Sequence, residues 1–172
     1  MSGDRARGAL HGLAVGDALG MPTESTPRAQ IVERYGVLVD RFYPAPPGHS
    51  LAAGLPAGSV TDDTEQAALL GWLMVESGGR IDPRELGRRL VAWEATMRER
   101  GSTGLLGPST KRALAALAAG VDPVEAGRSG TTNGAAMRIA PVGIAVPVGD
   151  ALVDRVVSAS LVTHGTGVAL AG

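Results

Sequence analysis

The 172-residue sequence predicts an all-α domain, and three observations carry that reading. Alanine occurs 27 times and glycine 25 times, against only five aromatic residues. A core so poor in bulk must bring backbones close together, and alanine favours helices as the elements that do so. Apolar residues recur at helical spacing in several segments bounded by Asp-Pro pairs in front and glycines behind. No segment shows the β-branched and aromatic alternation on which sandwiches and barrels depend.

Residues 4–19 read as an amphipathic helix in which Ala6, Leu10, Leu13, Ala14 and Ala18 share a face. Gly8, Gly12, Gly16 and Gly20 form an i, i+4 row on it. An interior glycine costs about 1 kcal/mol against alanine, so the row predicts a flat strip approached by another backbone. Asp17 continues the apolar stripe, which places a carboxylate on the buried side where it needs donors or a cation. Residues 21–60 hold six of the eleven prolines and read as a long irregular segment with a short helix at Arg28–Tyr35. A helix is expected over Thr64–Ser77, stopped by Gly78-Gly79. Asp82-Pro83, a cap followed by proline, opens the next, which runs to Arg100 and stops at Gly101. Ser109–Ala119 follows, closed by Gly120, and Asp122-Pro123 opens a short helix to Arg128. A polar loop, Ser129–Gly134, leads to a helix start near Ala135, and a last full helix covers Asp150–Thr163. Thr166–Gly172 is small and apolar, resembling a buried helix at its beginning; this predicts an unfinished or shortened domain. The whole chain, 1–172, is read as one domain.

Sixteen basic and seventeen acidic side chains give a formal net charge of −1, which argues against a nucleic-acid or anionic-membrane surface. The absence of cysteine removes thiolate catalysis and zinc–thiolate sites. The uncharged stretch Val156–Gly172 is too polar for lipid, and a cytoplasmic protein is expected.

The sharpest local signal is Gly58-Ser59-Val60-Thr61-Asp62-Asp63-Thr64-Glu65-Gln66 at the start of a helix. Asp62 and Glu65 fit an acidic capping box, and carboxylates at a helix N-terminus are favoured by its dipole. Adjacent carboxylates repel, however, and one helix end rarely needs both. A hydroxyl beside two carboxylates is an all-oxygen set of the kind Mg²⁺ or Mn²⁺ takes. Both readings stand on spacing alone.

Four segments occur in order: Gly16-Asp17-Ala18-Leu19-Gly20-Met21-Pro22-Thr23-Glu24, Thr61-Asp62-Asp63-Thr64, Asn133-Gly134-Ala135-Ala136-Met137-Arg138-Ile139-Ala140-Pro141, and Thr163-His164. Together they resemble the ADP-ribosylglycohydrolase family, specifically its N-terminal portion. The resemblance implies a compact orthogonal helical bundle that uses two Mg²⁺ or Mn²⁺ ions to hydrolyse the glycosidic bond joining ADP-ribose to a protein side chain or small acceptor. It implies that Thr61, Asp62 and Asp63 are metal ligands and that Glu24 is the carboxylate acting at the reacting centre. It implies that Ser129, Gly130, Thr131, Thr132, Asn133 and Gly134 hold the diphosphate, and that Met137 and His164 line the cleft. Beside these stand plainer readings: Glu24 as a loop charge, Met137 as core filler, His164 as a satisfied histidine near a helix end, and Arg138 as one half of an internal ion pair. Asp17 reads as a structural carboxylate rather than a ligand.

Family members carry a second acidic set, Asp-x-Asp-Thr, downstream of the Thr-His pair, and this chain has no Asp-x-Asp. A second expectation therefore accompanies the hydrolase: a non-catalytic relic that binds ADP-ribose or only folds. The same gap predicts uncovered apolar surface on residues 4–20 and 150–172, and hence association of the isolated chain.

Overall fold

The computed structural model describes residues 3–100 and 106–171, and every regular element among them is helical. They are α1 (Gly3–Gly20), α2 (Arg28–Tyr35), α3 (Asp62–Glu76), α4 (Pro83–Glu99), α5 (Pro108–Ala118), α6 (Pro123–Gly127), α7 (Ala140–Ala145), α8 (Asp150–Leu161) and α9 (Gly167–Ala171), with a 3-10 turn at Met21–Thr23. Among the described residues no helix is long and apolar enough to cross a membrane.

The boundaries follow local chemistry. Asp82 and Asp122 each accept a hydrogen bond from the backbone N–H two residues on, at 2.9 and 3.0 Å, with proline at the first helical position. After α3 the chain turns through Gly78 and Gly79, both at positive φ, and the N–H of Gly79 closes on the carbonyl of Met74 at 2.7 Å. After α5 Gly120 is likewise at positive φ, and the N–H of Val121 closes on the carbonyl of Ala116 at 3.0 Å. The stop expected at Gly101 lies outside the described residues; α4 ends at Glu99.

The main core gathers Leu70, Leu73 and Met74 of α3, Leu86 and Leu90 of α4, Leu114 of α5, Val142 of α7, and Ala159 and Val162 around α8. A smaller cluster, Met21, Ala45 and Ala52, fastens the irregular 21–60 segment. This core brings the end of α1, the start of α3 and the loop before α7 to one side of the molecule.

Four expectations are corrected. No helix starts near Ala135: residues 133–138 form successive turns and α7 begins at Ala140, because the chain bends to carry Arg138 into the interior. The glycine row of α1 meets no other backbone, since a Cβ built at Gly8, Gly12, Gly16 or Gly20 finds nothing within 4 Å. The close backbone approach occurs instead at Gly127 and Gly130, where a Cβ would collide with the carbonyls of Leu161 and Thr163 respectively. Finally, α3 starts at Asp62 rather than Thr64, with Thr61 as its cap. Asp62 and Glu65 form no capping box. Thr61 Oγ1 accepts from the N–H of Asp63 at 3.4 Å, while Glu65 accepts from Trp93 Nε1 at 2.6 Å.

Candidate active site

Asp17, one turn before the end of α1, reaches the start of α3. Its Oδ2 accepts from the N–H of Thr61 at 2.8 Å and from the N–H and hydroxyl of Thr64 at 3.2 and 2.6 Å; its Oδ1 accepts from the Thr61 hydroxyl at 2.7 Å. The donors that a helix start leaves unpaired are thus served by a carboxylate on another helix. This frees Asp62 and Asp63, the first two helical residues, from capping duty.

Those two carboxylates open onto a cavity of about 660 Å³, within the size range of small-molecule sites. Gly12, Gly16 and Gly20 of α1 border it, so the glycine row leaves room for the cavity rather than for a neighbouring helix. Glu24 stands on the rim beside Ser25, the one described non-glycine residue with positive φ (55°). Such a conformation persists where surrounding structure imposes it, often next to a site. Across the cavity lie Thr132, Asn133, Gly134 and Met137.

Among the described residues no basic side chain lines this cavity. Asp62, only 5% exposed, is pushed up to about 8, by burial first and then by Asp63 and Glu24. Burial and then Asp17 raise Asp63; partial burial and then Asp63 and Asp17 raise Glu24. An all-oxygen cluster with excess negative charge and no cationic partner on its wall fits a hard dication in kind. It does not complete one: among the described residues no three acidic or histidine side chains gather closely enough to hold a metal ion.

The structure brings Glu24, Thr61, Asp62, Asp63, Thr132, Asn133, Gly134 and Met137 to the cavity. Ser129, Gly130 and Thr131 do not border it. Gly130 is buried against Thr163, and its carbonyl accepts from Thr166 Oγ1 at 2.6 Å. His164 is wholly buried behind the loop, its Nε2 2.9 Å from Thr132 Oγ1. Arg138 forms no ion pair within 4 Å among the described residues; it is wholly buried and donates to Gln66, Ala159 and Thr163. Asp17 and Gln66 both fall within the quoted segments, but their supporting roles are not readable there: Asp17 meets Thr61 and Thr64 at the start of another helix, and Gln66, one turn after Asp62 on α3, meets Arg138 from the loop before α7.

A family model for ADP-ribosylglycohydrolase matches residues 2–172. The uncharacterized protein YegU of Escherichia coli is 39% identical over 174 residues, which is 100% of this chain and 52% of that protein. The ADP-ribosyl-[dinitrogen reductase] glycohydrolase of Rhodospirillum rubrum is 34% identical over 95 residues, 52% of this chain and 28% of that one. A solved ADP-ribosylglycohydrolase-related protein complex superposes with a TM-score of 0.74 at 36% identity, covering 98% of this chain and 52% of its own. The chain spans about half the length of YegU and of the solved structure. With the helical fold, the carboxylate-lined cavity and the family match in agreement, the chain belongs to the ADP-ribosylglycohydrolase family.

Proposed function

We propose that the cavity binds ADP-ribose attached to a protein side chain or small acceptor and supports hydrolysis of the glycosidic bond between them. One observation carries this reading: acidic Glu24, Asp62 and Asp63 and the Thr132–Gly134 loop line a single cavity that has no basic lining among the described residues. Thr61, Asp62 and Asp63 would hold Mg²⁺ or Mn²⁺, the family's two-ion site drawing further ligands from beyond this set. Such an ion, when bound, stabilises negative charge on sugar hydroxyls or water and offsets the repulsion among the carboxylates.

The chain's own groups do the rest. Asp17 fixes the Thr61 oxygen and the first turn of α3, so the two carboxylates enter the cavity from a rigid base. Cleavage passes through an oxocarbenium-like state, which negative charge stabilises. Glu24, whose pKa is raised, is suited to hold or accept a proton beside the reacting carbon. Thr132, Asn133 and the glycine backbone at 134 face the other end, where the diphosphate would lie.

Release of ADP-ribose from ADP-ribosyl-arginine by the 172-residue chain, followed with and without Mn²⁺, tests the reading. Metal-dependent release that vanishes in Asp63→Asn supports it; release unchanged by chelator or by Asp63→Asn contradicts it. A second reading, retention of ADP-ribose without turnover, is favoured by the incomplete donor set. Binding in calorimetry without release would select it.

A further inference from the structure

Arg138 is the bulkiest side chain with no exposed surface, and the proposed chemistry leaves it unused. Its Nη1 donates to Gln66 Oε1 at 3.0 Å; its Nη2 donates to the Ala159 carbonyl at 3.0 Å and to Thr163 Oγ1 at 2.7 Å. Gln66 Nε2 lies 3.5 Å from Asp62 Oδ2, at the outer edge of hydrogen-bond reach. On the other branch Thr163 Oγ1 is 2.8 Å from His164 Nδ1, and His164 Nε2 is 2.9 Å from Thr132 Oγ1. Asp62 and Thr132, the two ends, both border the same cavity.

Counting protons gives the chain a direction. A guanidinium only donates, so Thr163 Oγ1 accepts from Arg138. Thr163 and the His164 ring are fully buried. Were His164 Nδ1 to carry the proton, the Thr163 hydroxyl hydrogen would have no acceptor among the described residues, a costly arrangement in the interior. The two hydroxyls and the ring are all satisfied only if Thr163 donates to Nδ1 and the Nε2–H donates to Thr132 Oγ1, which leaves Arg138 Nε as the one unpartnered atom of the network among the described residues. Burial first, and then Arg138 and Arg112, hold the ring neutral by lowering its pKa to about 4. With one lone pair of Thr132 engaged from behind, its own proton is left free for an acceptor in the cavity that Thr132 borders. Gly134 is part of the fit, because a Cβ there would sit 2.7 Å from His164 Cε1.

We infer that Arg138 is a positioning residue which, through Thr163 and His164, makes Thr132 a fixed hydroxyl donor to an anionic oxygen of the ligand and, through Gln66, steadies Asp62 at the opposite end. The inference rests on reading the cavity as an ADP-ribose site, whose phosphate oxygens are the acceptors at the Thr132 end.

Long-range ¹H–¹⁵N correlation of the ¹⁵N-histidine-labelled chain reads the ring directly and needs no ligand. The expected result is neutral His164 protonated at Nε2, with Arg138→Lys losing that single-tautomer signature because an ammonium cannot serve both branches in the guanidinium's geometry. A merely structural Arg138 would lower the melting temperature of Arg138→Lys and leave the tautomer unchanged. An Nδ1-protonated ring in the wild type overturns the inference whatever the variants do. Calorimetry with ADP-ribose and Mg²⁺ then tests the far end: Thr132→Val should weaken binding about tenfold and Thr132→Ser restore it. Equal affinities for wild type and Thr132→Val overturn the inference while the ADP-ribose reading stands. No binding by the wild type overturns that reading and the role of Thr132 with it.

Discussion

Asp17 and Thr61, 44 residues apart in the chain, are joined by two hydrogen bonds, backbone N–H to Oδ2 at 2.8 Å and hydroxyl to Oδ1 at 2.7 Å. With the pair of bonds from Thr64, they pin α1 to the start of α3 and set the base from which Asp62 and Asp63 project. Asp17→Ala strands those donors and is expected to cost about 2–4 kcal/mol in urea unfolding, with Asp17→Asn intermediate. A loss below about 0.5 kcal/mol would show that the carboxylate does not hold the cap.

The carboxylates it positions are strained by one another. Asp62 has a folded pKa raised to about 8, so in chelator the chain should lose stability as pH rises from the ordinary carboxylate range toward that value. Asp62→Asn removes the buried charge, and between about pH 6 and pH 9 the variant should keep about 2 kcal/mol that the wild type loses. Denaturant titrations at the two pH values check this; parallel losses in both proteins would contradict it.

His164 gives the opposite slope. Its folded pKa is lowered to about 4 from 6.5, so the neutral ring contributes stability above about pH 6.5 that is lost as pH falls toward 4. The loss should reach about 3 kcal/mol. Unfolding followed from pH 7 to pH 4, with the histidine ¹⁵N shifts recorded in parallel, should show protonation of His164 only as the fold is lost.

Gly134 lies against the His164 ring and Thr110 Oγ1, at 2.7 and 2.9 Å from a would-be Cβ. Gly134→Ala must displace the ring or the loop. We expect about 1–3 kcal/mol of destabilisation and weaker ADP-ribose binding; a neutral effect on both would mean that the loop shifts freely.

The apolar surface predicted from the sequence is present. Leu10 and Val15 of α1, Val153 of α8 and Val168 of α9 are exposed. Trp72, 65% exposed on α3, borders a second, almost wholly apolar cavity of about 650 Å³ shared with α1 and α7. Sedimentation velocity should show concentration-dependent association that Trp72→Lys reduces, whereas a monodisperse monomer across the concentration range would contradict it.

Helices were legible where the chain itself punctuates them. Asp-Pro at 82–83 and 122–123 and glycine at 78–79 and 120 act through local backbone geometry, and each marks an observed boundary within a residue or two. The segment around Ala135 misled because alanines there suit a helix, while the buried hydrogen bonds of Arg138 reach Gln66, Ala159 and Thr163, 72, 21 and 25 residues away. The glycine row was legible as an anomaly, but not as cavity lining: glycines that clear space for a ligand and glycines that admit a backbone have the same spacing. Asp17 could be read as a buried carboxylate from its stripe position; its partners could not, since they belong to a different helix.

Calorimetric titration of the chain with ADP-ribose, in the presence and absence of Mn²⁺, bears most directly on whether this cavity is a sugar–diphosphate site. Saturable one-to-one binding, strengthened by Mn²⁺ in the wild type but not in an Asp62→Asn/Asp63→Asn double variant, is the expected outcome. No measurable heat in a folded sample, or binding indifferent to both the metal and the two carboxylates, would contradict it.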